Sequence, residues 1–119
     1  MRSRGASRTL GPMILINVVY RPKPEYLENF RDKVAEFTEA TRAEEGNIFF
    51  DWYRSTDDPG VYVLLEAFQD DAAEAHVNSQ HFKDACELFP ELLLETPKII
   101  NTTIPGKTEW DRMAEFAVD

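Results

Sequence analysis

The only two histidines in the chain, His76 and His81, lie five residues apart in the segment EAHVNSQHF, on either side of a serine. Imidazoles titrate near neutrality and act as general bases or as metal ligands. A five-residue step turns about 140° on a continuous helix. With no third ligand evident in the sequence, a metal site is not expected there. The chemistry this pair offers is proton transfer. The alternative is structural, with His76 bonding the last carbonyls of one helix and His81 occupying the first turn of the next.

Glu66 is the only charge within the apolar run VYVLLEAF. A buried carboxylate needs a partner, and a site histidine, which it would orient and stabilise as imidazolium, is a natural one. An edge position facing solvent or a second subunit is the alternative. Asn17 interrupts the apolar run MILINVVY in the same way, as a ligand contact or as a cross-strand hydrogen bond. Phe50 and Trp52 share one strand parity and suit a core as well as a pocket wall. Arg54, of the same parity, suits a surface or inter-subunit ion pair as well as a ligand clamp. Cys86 has no readable acid/base setting and is expected to be a small buried hydrophobe.

Positioning these groups requires a scaffold, and the apolar patterning supplies one. MILINVVY is a β-branched strand ended by RPKP. Pro24 then opens an amphipathic helix of about five turns, with Tyr26, Leu27, Phe30, Val34, Phe37 and Thr41 on its apolar face. Gly46 is expected to stop the helix in a left-handed conformation. IFFDWYR and VYVLLEAF flank the turn cluster STDDPG and form a hairpin. Asp71 and Glu74 have capping-box spacing, and Asn78 or Ser79 can cap again. Two short helices are therefore expected, one to His76 and one from Gln80 to about Phe89. Pro90 and Pro97 bracket a connection to a last strand, KIINTTI. The order β-α-β-β-α-β is the ferredoxin-like α+β pattern, an antiparallel sheet with both helices on one face. VYVLLEAF is apolar on both faces, so something must cover the second face. A second copy of the chain, giving a homodimer with a shared α+β barrel, is the economical cover.

The chain has 119 residues and a net charge of −9, enough for one domain and poorly suited to nucleic acid or anionic lipid. No apolar run reaches the roughly 20 residues needed to span a bilayer. The single cysteine cannot close an intrachain disulfide, and a cytoplasmic setting is expected. Residues 1–12, with three arginines, are expected to be a disordered extension from an upstream start or a cloning remnant, set apart from the domain over 13–106. The tail over 107–119 carries Trp110, Met113 and Phe116 at helix-like spacing. It packs either on its own domain or on a partner subunit.

The segment from Gly46 to Ala85 resembles the antibiotic biosynthesis monooxygenase family of dimeric α+β barrel proteins. The resemblance rests on Gly46, Phe50, Asp51, Glu66 and the block His76, Ser79, His81, Phe82, and it extends from about Met13 to Ile104. It implies oxidation of an electron-rich phenol, hydroquinone or anthrone by O2 without flavin, metal or other cofactor. It further implies His76 as the preferred base, His81 as the second choice and Glu66 as a possible partner. Phe50, Trp52, Tyr53 and Phe82 would line the pocket, and Asn17 and Arg54 would bind substrate oxygens. A haem-degrading branch of the superfamily uses an Asn, Trp, His set. Asn17 matches its first member, but Glu66 and Cys86 stand near the other two. An isomerase branch acting on a phosphorylated dione is closer, with Arg54 and Lys98 as candidate phosphate ligands, although Ser79-Gln80 replaces its usual Thr-Pro. The third reading is a non-catalytic binder of small aromatic ligands.

Overall fold

The computed structural model describes residues 11–119. The extension expected over 1–12 therefore lies outside the described residues, apart from Gly11 and Pro12. The apolar runs form four strands, β1 Met13–Tyr20, β2 Asn47–Arg54, β3 Tyr62–Gln69 and β4 Lys98–Ile104. They pair antiparallel throughout, in the order β2-β3-β1-β4. This is the expected ferredoxin-like α+β sheet, and it is not closed within the single chain.

The helix expected from Pro24 to Thr41 is interrupted. A 3-10 turn at Pro24–Tyr26 is followed by α1 at Phe30–Lys33 and α2 at Ala35–Arg42. Asn29 (φ −111°, ψ 16°) and Val34 (φ −104°, ψ 12°) leave helical geometry. The buried residues explain the break. Phe30, Val34 and Thr38 all have zero exposure at steps of four, and a straight helix drifts about 40° per four residues. Breaking the helix keeps all three against the sheet. The Thr38 hydroxyl donates to the Val34 carbonyl at 2.7 Å and accepts from Trp52 Nε1 at 2.8 Å, tying α2 to β2.

After β3, a 3-10 turn at Asp70–Ala72 leads into α3, Ala73–Val77, and then α4, Gln80–Leu92. The expected capping box at Asp71 and Glu74 is not what starts α3. Its N-cap is Ala72, because the 3-10 turn displaces the start, and no side chain caps it. Ser79 does cap α4, accepting from the Phe82 amide at 3.2 Å. α4 runs through Pro90, which so near the C-terminus removes a single bond, and the extra turn buries Leu92.

The helix-facing side of the sheet carries the core, with Val18, Tyr20, Phe50 and Leu64 packed on Phe30, Val34 and Phe89. Among the described residues, no helix covers the other side. Trp110 of the tail stacks on Phe49 of its own chain, ring centroids 5.1 Å apart, and Lys107 pairs with Asp111. Instead of a helix, the tail forms a single 3-10 turn, Ala114–Phe116. Ile100 remains 74% exposed on β4. No described helix is long and apolar enough to cross a membrane.

Gly46 corrects the sequence reading in an informative way. It does not adopt a positive φ; among the described residues only Gly106 does (71°). Gly46 is needed because a Cβ there would fall 2.1 Å from the Ala72 Cβ. The close approach docks the loop after α2 against the turn after β3, and the Gln69 amide donates to the Gly46 carbonyl at 2.8 Å. Gly46→Ala is expected to cost about 1–3 kcal/mol, as overpacking does, read from the urea midpoint. An unchanged midpoint would show that the two loops separate freely.

Candidate active site

The loop docked by Gly46 carries Glu44. Its amide donates to the Thr41 carbonyl at 3.0 Å and its carbonyl accepts from the Asn47 amide at 3.2 Å, so the backbone on both sides is fixed. Across from it α3 ends and α4 begins. Ser79 forms the corner, its hydroxyl donating to the His76 carbonyl at 2.6 Å while capping α4. The corner removes the 140° divergence that a continuous helix would impose. Both imidazoles then converge on one carboxylate oxygen. His76 Nδ1 lies 2.7 Å and His81 Nε2 2.5 Å from Glu44 Oε2.

An ionised carboxylate only accepts, so this geometry assigns the tautomers. His76 donates to Glu44 from Nδ1 and His81 from Nε2, and His76 Nε2 and His81 Nδ1 are the nitrogens turned away from the carboxylate. Aromatic rings surround the pair. Phe68 lies 4.7 Å and Phe82 5.2 Å from the His76 ring, and Phe37 is about equidistant from the two imidazoles at 5.9 and 6.1 Å. His76 is buried at 5% exposure, whereas the His81 side chain is 25% exposed. His81 and Phe37 line a groove of about 400 Å³ between α2 and α4. Glu44 lines a second groove, of about 280 Å³, with Gly46, Ala72 and Ser79.

Glu66 faces the same side of the sheet as Leu64 and Phe68, buried opposite Ile16 and Phe50. Burial, with the Glu44 charge second, pushes its carboxyl up to about 8. At pH 7 it is a neutral acid. Tyr20 is pushed above its usual range, by burial first and then by Glu66. The partner of His76 is Glu44, at 2.7 Å, and not Glu66.

The structure thus gathers His76, His81 and Phe82 around Glu44, with Phe50 and Glu66 on the adjoining sheet surface. Phe50 reaches the cluster through Phe37, ring centroids 5.6 Å apart. Trp52 sits deeper in the core, between Tyr20 and Phe30. Arg54 holds both carboxylate oxygens of Glu28 at 3.1 Å and donates to the Pro59 carbonyl, opposite Tyr62 on β3. That position is six strand residues from Phe68, roughly 20 Å away. Asn17 and Tyr53 are exposed on the opposite face of the sheet. Cys86 is exposed rather than buried, one helical step round from the buried Ala85.

Glu44 and Phe37 were not identified from the sequence as site residues. The signal for Glu44 was its place two residues before a glycine that permits a close approach. Glu44 also supplies the third ligand-type group that the sequence did not reveal: one donor atom each from Glu44, His76 and His81 lie within 4.8 Å of one another.

Comparison with known proteins shows the family and the fold. The family model described as antibiotic biosynthesis monooxygenase matches residues 13–88. A Bacillus subtilis protein named "Putative monooxygenase YcnE" is 29% identical over 93 residues, covering 77% of this chain and 98% of its own. Among solved structures, Rv0793 from Mycobacterium tuberculosis is similar at a TM-score of 0.68 and 25% identity, covering 76% of this chain and 92% of that one. PA3566 from Pseudomonas aeruginosa is similar at 0.64 and 27%, covering 77% and 92%.

The raised carboxyl of Glu66 has a measurable consequence with a definite sign. The folded state holds a proton that the unfolded chain releases above its ordinary value of 4.5, so stability is full below that pH and falls as pH rises towards about 8. The slope from this group is at most about 1.4 kcal/mol per pH unit. Urea unfolding at several pH values is expected to show this decline, and Glu66→Gln is expected to flatten it between pH 5 and pH 8. Parallel curves for the two proteins would place the proton elsewhere.

Proposed function

This chain belongs to the antibiotic biosynthesis monooxygenase family, matched over residues 13–88, and we propose that it oxidises an electron-rich phenol, hydroquinone or anthrone with O2 and no other cofactor. The observation that carries the reading is the Glu44 carboxylate holding two imidazoles in fixed tautomers inside an aromatic cage. Removing a proton from such a substrate raises its electron density until it reduces dioxygen directly. The carbanion or phenolate passes one electron to O2, the two radicals combine to a peroxide, and loss of water leaves the new carbonyl. The protein has to supply a base, a dry aromatic surface and a proton for the departing water.

His81 is the base. Its Nδ1 is free and its ring lines a groove, whereas His76 is buried. This reading prefers His81 to His76, the base that the family resemblance suggested, because His76 is the more buried. His76 is a positioning residue that fixes Glu44 from the other side. Glu66, uncharged at neutral pH, is the proton donor available to the peroxide. Phe37 and Phe82 form the aromatic wall. The isomerase alternative needs a cationic phosphate site, but Arg54 is committed to Glu28 and Lys98 lies on the outer face of β4.

The active form is a homodimer in which a second copy covers the outer face of the sheet. Leu15, Val63 and Leu65 share that face with the exposed Ile100.

Oxygen-electrode turnover of a hydroquinone and anthrone panel by metal-stripped protein tests the activity. Uptake above the autoxidation rate is expected, with kcat lowered about 10²–10⁴-fold in His81→Ala. Uptake no faster than autoxidation across the panel would overturn the oxygenase reading, and turnover unaffected by His81→Ala would remove the assigned base. Light scattering of Ile100→Asp is expected to give half the mass of the parent protein. A monomeric parent would contradict the dimer.

A further inference from the structure

We propose that Glu44, His76 and His81 also form a binding site for one divalent transition-metal ion of the zinc, cobalt and nickel class. The donor set is two imidazole nitrogens and one carboxylate oxygen, within 4.8 Å of one another. Borderline donors of this kind select zinc-like ions over calcium or magnesium, which require oxygen shells. A second observation points the same way. Glu44 Oε1 is buried and has no hydrogen-bond partner, so one acceptor of this carboxylate is unsatisfied. Glu44 pairs with the two histidines, and no lysine or arginine among the described residues pairs with it. A divalent cation would do so.

The fit requires a small, local adjustment. The present contacts of 2.7 and 2.5 Å are proton-bridged. Metal–ligand bonds of about 2.0–2.1 Å in a tetrahedron set ligand atoms roughly 3.3 Å apart, so the Glu44 side chain retreats by under about 1 Å and the two imidazole nitrogens, within 4.8 Å of one another, close by up to about 1.5 Å through rotation of the rings. The metal takes His76 Nδ1 and His81 Nε2, and the ring protons move to the opposite nitrogens. Three protein ligands leave a fourth position open, and the grooves beside His81 and Glu44 give an entry path. Because the lone pair on His81 Nδ1 becomes an N–H, metal and base catalysis exclude each other at this site. The binding itself rests on the geometry alone and stands whether or not the oxygenase reading does.

The test uses metal-stripped full-length protein titrated with Co²⁺ or Zn²⁺ alone, followed by calorimetry, the Co²⁺ visible bands and imidazole NMR. The chain has two histidines, so every imidazole signal belongs to the site. One ion per chain is expected, with both imidazoles perturbed, Co²⁺ bands displaced by Zn²⁺, and affinity at least about 10-fold weaker in Glu44→Gln. His81→Gln, at a partly exposed position and checked for folding by circular dichroism, is expected to lose the Co²⁺ bands. Equal binding by the parent and His81→Gln, or no uptake at millimolar ion, would overturn the site. No substrate is present in these titrations, so their failure leaves the oxygen-uptake result unaffected, and the converse holds.

Discussion

A single carboxylate oxygen shared by two imidazoles is the constraint on which the rest of the site depends. Glu44 Oε2 accepts from both rings only if two separate parts of the chain are brought together. The loop after α2 must lie against the turn after β3, and Gly46 permits this because any side chain would strike Ala72. The polypeptide must also turn a corner between the histidines, and Ser79 makes that corner by bonding one helix while capping the next. A net hydrogen bond to a charged group contributes about 1.5–3 kcal/mol, and leaving such a charge buried without its partners costs more. The pair of bonds therefore holds the loop and both helices in one arrangement.

The second carboxyl follows from the first. Glu66 is buried against Phe50 and Ile16, close enough to Glu44 for that charge to raise its proton affinity. Two ionised carboxylates in one apolar region would repel, and the interior accommodates one charge by keeping the other group protonated. The outcome is a division of labour. Glu44 accepts from two imidazoles and orients them; Glu66, with its carboxyl pushed up to about 8 by burial, holds a proton.

The sheet was legible in the sequence because β-branched runs of strand length bounded by Pro and Gly admit few other readings. The strands fall within a residue or so of the expected MILINVVY, IFFDWYR, VYVLLEAF and KIINTTI runs. The helices were legible in position but not in continuity. Periodicity locates Phe30, Val34 and Thr38 on one face without saying that the helix must break to bury them together. His76, His81 and Glu66 were visible as unusual residues in apolar or family-like surroundings. Glu44 was not, because EE before a glycine reads as solvated surface and its partners lie 32 and 37 residues downstream. Strand parity had already grouped Phe50, Trp52 and Arg54, but proximity along the strand was beyond it. Arg54 lies at the far end with Glu28, while Asn17 and Tyr53 point from the other face.

The shared carboxylate is tested most directly by nitrogen-15 spectra of the two imidazoles in metal-free protein, which report where each ring proton resides. The geometry predicts one histidine with its proton on Nδ1 and the other with its proton on Nε2, both slow to exchange. Both are predicted to revert towards the free-imidazole pattern in Glu44→Gln. Two rings with averaged tautomers in the parent protein, unchanged by Glu44→Gln, would contradict it.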